Sequence, residues 1–206
     1  MTAIHDWATS DNLQPEPITV QIWRELPEDF CRRVEIVDGN AIRCAEPNRA
    51  HQKAARMLAN TLEDAARDYM RANPEDCLDI SNDFDVVLWE VPRTTIRSPD
   101  VALFECAPSD LHPLPARFLK IVVEVVSPSH TKTDRVDKMA EYAAAGIPWY
   151  WIVTLADNDV NGIELYALDH ATDQYKFVRE LQRGDSAVDL PIRVRIDWDR
   201  LTDLVL

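Results

Sequence analysis

Glycine is scarce in this 206-residue chain, with four residues, which excludes collagen-like repeats, glycine-rich phosphate loops and flexible Gly linkers. Cysteine in metal-binding spacing is missing too. Cys31, Cys44, Cys77 and Cys106 contain no C-x-x-C pair and match no common zinc frame, so free thiols in a reducing compartment are expected. No apolar run approaches the roughly 18 residues that a membrane span needs. The N-terminus Met1-Thr-Ala-Ile-His-Asp6 has neither the basic nor the apolar region of a signal peptide, and these absences together suggest a cytoplasmic protein. Basic charge is also in short supply: 22 Lys and Arg face 36 Asp and Glu, a net charge of -14. Such a surface repels phosphates and anionic lipid, which excludes a general basic coat for nucleic acid or membrane. It leaves room for a small site in which acidic side chains hold a cation.

What is present is globular. Hydrophobic residues make up 46% of the chain, and its length is enough to bury a core without a disulfide or metal staple. Residues 1–17 read as a loose polar arm with Pro15 and Pro17, and 18–206 as one domain. A short helix is expected around Ile22 to Cys31, then a hairpin in which Asp38-Gly39 joins two alternating runs. The clearest helix runs from Asn48, its N-cap, to Met70. Its stripe is His51, Ala54, Ala55, Leu58, Leu62, Ala65, Ala66 and Tyr69, and Asn73-Pro74 stops it. Strands follow at Phe84 to Trp89 and at about Arg97 to Phe104, then a Pro-rich loop from Pro108 to Pro115. Leu119 to Val126 is a near-continuous apolar strand of the kind buried on both faces. A helix from Thr131 to Ala145 leads to a strand at Trp149 to Thr154, and a strand–helix–strand unit of this kind implies a parallel crossover. Three more strands (Ile163 to Leu168, Tyr175 to Glu180, Ile192 to Ile196) and a closing helix from Asp197 complete a mixed sheet flanked by helices.

Glu124 is the most informative residue, because it interrupts the apolar run Ile121-Val-Val-Glu-Val-Val126. A carboxylate in a central strand either emerges at a solvated end beside a helix residue or requires a compensating cation. Lys120, four residues back on the same face, is roughly 13 Å away and too far to serve. Asp100, in Ser98-Pro99-Asp100 at the mouth of an apolar strand, is either a turn residue or a second strand-borne acid. Two such acids suit Mg²⁺, which binds through one or two carboxylates and keeps waters and phosphate oxygens. On the helix after Glu124, Asp134, Lys138, Glu141 and Tyr142 share one face. Lys138 there is either half of a solvated pair with Asp134 or a cation aimed at the acids. Trp149, Tyr150 and Trp151 read as core aromatics rather than a base-stacking platform.

The series Arg33-Val-Glu-Ile-Val-Asp-Gly39, Ser98-Pro-Asp100, Val122-Val-Glu-Val-Val-Ser-Pro-Ser129, Asp134-x-x-x-Lys138 and Tyr142-x-x-x-Gly-Ile-Pro-x-Tyr-Trp151 resembles a bacterial family, the Uma-type endonucleases. That family is classed as a domain of unknown function within the PD-(D/E)XK, restriction-endonuclease-like superfamily. The likeness covers roughly residues 20–200. It implies an α/β (mixed α+β) restriction-endonuclease-like core with extra β-hairpins. By the same likeness Asp100 and Glu124 are metal ligands, Lys138 is the catalytic lysine carried on a helix, and Glu35 is an N-terminal acid assisting metal or water. His51 and Ser127 match positions that are often polar in the family, although His51 on an apolar stripe also reads as a satisfied core histidine. Two departures stand out: Val126 replaces the usual lysine two residues after the second acid, and Thr154 stands where relatives often carry Asp.

The implied activity is Mg²⁺- or Mn²⁺-dependent hydrolysis of DNA phosphodiesters, with Lys138 positioning the attacking water or balancing the developing charge. Homodimerisation is implied by double-strand cutting. A non-catalytic nuclease-like binding module is the rival, favoured by the acidic charge, and a hydrolase of another phosphorylated substrate is a third reading. Bound DNA would require a confined basic strip, for which Arg32, Arg33, Lys132 and Arg135 are the expected residues.

Overall fold

The computed structural model describes residues 16–126, 132–185, 187–189, 191–202 and 204, with the backbone alone for 132–134. Most of the expected N-terminal arm and Ser127 lie outside these residues.

Pro27 divides the first expected helix. The chain forms α1 (Val20–Glu25), turns extended at Leu26, and starts α2 (Glu28–Cys31) after the proline, because the residue before a proline is pushed out of the helical region. The hairpin β1 (Val34–Val37) and β2 (Asn40–Arg43) turns through Asp38 and Gly39. Both have positive φ, 48° and 77°, as a two-residue turn matched to strand twist requires. A Cβ on Gly39 would also lie 2.6 Å from Pro17 Cβ, so only glycine fits there.

The long helix α3 (Arg49–Ala72) begins where expected: the Asn48 side chain accepts a hydrogen bond from the His51 amide. Its stripe from Ala50 through Ala66 is buried. It lies on a six-stranded sheet ordered β11-β10-β9-β8-β6-β3, where β3 is Leu78–Asn82, β6 Val101–Glu105, β8 Leu119–Val126, β9 Trp149–Ala156, β10 Asp159–Asp169 and β11 Gln174–Leu181. Strands β8 and β9 are parallel, joined through α4 (Lys132–Ala144), and all other pairs of this sheet are antiparallel.

Alternation sends the two faces of β8 into different cores. Ile121, Val123 and Val125 pack with α3, while Val122 packs with Tyr142 of α4. Tyr150 and Trp151 are buried in these same cores, which removes them as stacking platforms for bases. A five-stranded sheet, ordered β2-β1-β5-β4-β7, packs beside the first. Its remaining strands are β4 (Val86–Trp89), β5 (Thr95–Arg97) and β7 (Leu114–Pro115). A short pair, β12 (Ala187–Val188) and β13 (Val194–Arg195), and a 3-10 turn at Trp198–Leu201 close the α3 side.

Several expectations are corrected. The strand expected from about Arg97 to Phe104 is two strands in different sheets, and Ser98-Pro99-Asp100 carries the chain from one to the other. Periodicity alone misses the break because a strand pattern can be drawn from Arg97 straight into the apolar run that starts at Val101. Strand β3 carries little sequence signal, since Leu78-Asp-Ile-Ser-Asn82 is an edge strand with only two apolar residues. The closing helix is a single 3-10 turn within the described residues. At the outer edge, the β10–β11 register jumps between Leu165 and Tyr166, which pair with Arg179 and Phe177 and leave Val178 as an extra residue.

The cysteines differ from expectation as well. Cys77 and Cys106 form a disulfide, and Cys31 and Cys44 are free. The reason is register: β3 and β6 pair Leu78 with Glu105, so the flanking cysteines face each other, and the Cys106 amide donates to the Cys77 carbonyl at 3.0 Å. Among the described residues no helix is long and apolar enough to cross a membrane. Thiol titration of the denatured, unreduced protein should therefore count two groups per chain. A count of four would contradict the pairing.

Candidate active site

The sheet geometry brings the expected acids to neighbouring strands. Val101 pairs with Val123, so Asp100 lies one step further along, beside Glu124. Asp100 Oδ2 accepts a hydrogen bond from the Val125 amide at 2.6 Å, and its Oδ1 lies 2.8 Å from His51 Nε2. Thus α3 reaches the site through its first turn, and His51 is more than a packed stripe residue.

Glu124 is 7% exposed, which excludes a solvated strand end. Its even-numbered place in β8 turns it towards α4. Lys138 Nζ donates to Glu124 Oε1 and Oε2 at 3.1 and 3.0 Å, and Tyr142 Oη donates to Oε1 at 2.7 Å. The one-turn spacing of Lys138 and Tyr142 on α4 places both on the same carboxylate. Lys138 is not half of a solvated surface pair, because its side chain is only 12% exposed and it also lies 3.4 Å from Glu35 Oε1.

Glu35 comes from β1, in the other sheet. Its Oε1 accepts from the Ser98 amide at 3.1 Å, and its Oε2 accepts from Arg97 Nη1 at 2.7 Å. Arg97 then forks onto Glu141 of α4, with Nε–Oε2 2.6 Å and Nη2–Oε1 2.9 Å. A bidentate guanidinium of this kind fixes orientation as well as charge. Beyond it, the Ser98 hydroxyl donates to Asp85, and the Asp85 carboxylate lies 3.4 Å from His112 Nε2.

Burial pushes the Glu124 carboxyl up, to about 7, against the opposing pull of Lys138 and with Asp100 and Glu35 adding to the rise. Burial also acts on Glu35, but Lys138 and Arg97 outweigh it and hold that carboxyl below the ordinary range. For Lys138, burial disfavours the ammonium, yet the charges of Glu124, Glu35 and Asp100 raise it well above the ordinary lysine value. Lys138 is therefore a fixed cation at neutral pH. The His51 imidazole follows the same logic: burial lowers it, and the Asp100 hydrogen bond and charge more than restore it.

Asp100, Glu124, Lys138 and Glu35 thus lie in one connected cluster with His51. Arg97, Tyr142 and Glu141 belong to it too, and of these Arg97 escaped the sequence reading. Little in the local sequence marks it: in Thr95-Ile96-Arg97 only Ile96 is apolar, so the arginine does not stand out as Glu124 does. Among the described residues no three His, Cys, Asp or Glu side chains form a ready-made metal cage. Of the residues expected to form a basic strip, Arg32, Arg33 and Arg135 have described side chains. Arg32 pairs with Glu28, Arg33 donates to the Asp29 carbonyl, and Arg135 is tied to Glu164 and Tyr166. The Lys132 side chain lies outside the described residues.

Mixed sheets flanked by helices, with a buried lysine between strand-borne acids, place this chain in the restriction-endonuclease-like class. The match of a family model, described as a putative restriction endonuclease, to residues 23–197 makes it specific: the chain belongs to the Uma2 family. A crystal structure of a putative nuclease of DUF820 from Anabaena variabilis shares the fold, with a TM-score of 0.61 and 15% identity over 92% of this chain and all of that one. No match was found among curated proteins.

Two measurements test the network. Arg97→Ala strips buried Glu35 and Glu141 of their shared cation and should cost about 3–5 kcal/mol in urea unfolding; a loss under about 1 kcal/mol would show the network to be incidental. His51 has a folded pKa raised above its ordinary 6.5, so its stabilisation is full below that value and fades as pH rises through the folded one. The stability gap between wild type and His51→Gln should then narrow with rising pH. A gap that widens would reverse the assignment.

Proposed function

We propose that this protein is a divalent-metal-dependent phosphodiester hydrolase acting on DNA, in the cytoplasm and as a homodimer that brings two centres to a duplex. The observation that carries this reading is the meeting of Asp100 and Glu124 on adjacent strands with the Lys138 ammonium against Glu124.

The donor set fits a hard cation. Both acids are oxygen donors, and the charge of Asp100 contributes to the raised pKa of Glu124, a repulsion that a divalent ion would relieve. Asp100 and Glu124 would hold Mg²⁺ or Mn²⁺, leaving its other positions to water and phosphate oxygens. Such an ion neutralises phosphate charge and acidifies water.

The chain's own residues do the rest. His51 and the Val125 amide fix the Asp100 carboxylate, and Tyr142 fixes Glu124. Lys138 supplies a permanent positive charge that orients a water or balances the negative charge on the phosphoryl oxygens in the transition state. Glu35, already engaged by Arg97 and the Ser98 amide, serves as a positioning group for Lys138.

One observation favours the non-catalytic reading: each carboxylate oxygen of Asp100 and Glu124 already has a protein donor. Calorimetric titration with Mn²⁺ separates the two readings, because a binding module would take up no ion, or take it up equally after Asp100→Ala. The activity test is cleavage of plasmid and single-stranded DNA in Mn²⁺, beside a panel of other phosphodiesters and phosphomonoesters. Asp100→Ala, Glu124→Gln and Lys138→Ala should each lower the rate by about 10²-fold or more. Equal cleavage by wild type and all three variants would assign the activity to a contaminant.

A further inference from the structure

Helix α3 is electrically divided along its length. Between Arg49 and Leu62 it carries no acidic residue, and all its acids (Glu63, Asp64 and Asp68) lie beyond. In that second half the basic residues are neutralised locally: Arg67 pairs with Glu63 and Asp64, and Arg71 with Asp68. In the first half Arg49, Lys53 and Arg56 recur at i, i+4 and i+7 and form a ridge about 10 Å long. Arg49, Gln52 and Arg56 are exposed and Lys53 is half-buried. Together with Leu204 they line one surface hollow.

Elsewhere the basic residues are mostly taken up. Among the described residues ion pairs engage Arg32, Arg43, Lys120, Arg135, Lys176, Arg179, Arg183, Arg193 and Arg200. No ion pair to a described residue engages Arg49, Lys53 or Arg56. In a chain of net charge -14, three adjacent cations with no ion pair to a described residue stand out as a group. Unpaired cations in a row on a rigid helix suit a partner with regularly spaced negative charge.

We propose that the Arg49–Gln52–Lys53–Arg56 ridge is a docking surface for the phosphate backbone of a nucleic acid. The choice of nucleic acid over other polyanions rests on the nuclease reading; the ridge itself does not. Each cation neutralises a phosphate and releases a counterion, while Gln52 adds a neutral donor to phosphate or sugar. The helix that presents the ridge also carries His51 to Asp100, so docking and the candidate site share one rigid element.

The test is fluorescence anisotropy of a labelled DNA duplex in EDTA across a salt series. Wild type is compared with Arg49→Glu, Lys53→Glu, Arg56→Glu, the triple variant, and Arg67→Glu as a control on the same helix. Each single reversal should lower the slope of log affinity against log salt by about one, and the triple by about 2–3, with Arg67→Glu close to wild type. Thermal unfolding of the exposed variants guards against misfolding. Wild-type affinity and slope in the triple variant would overturn the proposal, as would binding to phosphatidylglycerol vesicles without binding to the duplex. Asp100→Ala should bind like wild type. Loss of cleavage evidence with an intact ridge effect would sink the nuclease reading alone, and wild-type binding by the triple variant beside Asp100-dependent cleavage would sink the ridge alone.

Discussion

The structure turns on one electrostatic problem, a carboxylate placed inside an apolar strand. Glu124 has Val123 and Val125 beside it, both almost completely buried, and an ionised group there is costly unless it is matched by charge and hydrogen bonds. Helix α4 supplies the match with two side chains one turn apart, Lys138 and Tyr142. The crossover from β8 to β9 therefore does more than connect parallel strands. It must return across the sheet at a height and rotation that bring an ammonium and a phenol to one carboxylate. The packing of Tyr142 against Tyr150, with ring centroids 5.4 Å apart, fixes that rotation from the other side.

The second constraint is that the charges span two sheets. Arg97 ends β5 in one sheet, and Asp100 immediately precedes β6 in the other. Only Ser98 and Pro99 separate a guanidinium serving Glu35 and Glu141 from a carboxylate serving His51 and Val125. Pro99 in that link restricts its backbone. Relative movement of the sheets would disturb both ends at once, so the seam between them behaves as one unit. The net effect is a chain of alternating signs, Glu141–Arg97–Glu35–Lys138–Glu124, in which every buried charge has an opposite neighbour.

Much of this was legible in the residues. The Asp-Gly turn, the α3 stripe with its asparagine cap, and the apolar β8 carry local signals strong enough to read directly. Glu124 betrayed itself as a charge where none belongs, and Asp100 and Lys138 followed from the family likeness. What stayed hidden depended on pairing across long sequence gaps. Nothing local says that Thr95-Ile-Arg97 and Val101-Ala-Leu-Phe-Glu105 enter different sheets, or that Arg97 meets both β1 and α4. The Cys77–Cys106 bridge likewise depends on an edge strand whose pattern is too polar to recognise. Arg135 shows the same limit: spacing shows where a cation is, not that Glu164 of β10 has already claimed it.

The kink in the outer strand bears on how the molecule keeps to itself. β11 is eight residues long, lies at the margin of the six-stranded sheet, and exposes Phe177 and Val178. A straight ribbon of that kind would invite another chain to add on, strand to strand, and grow into an aggregate. The extra residue at Val178 breaks the regular row of backbone donors and acceptors, and Lys176 and Arg179 place charge on either side of it. The sheet thus ends in a strand shaped to refuse a successor.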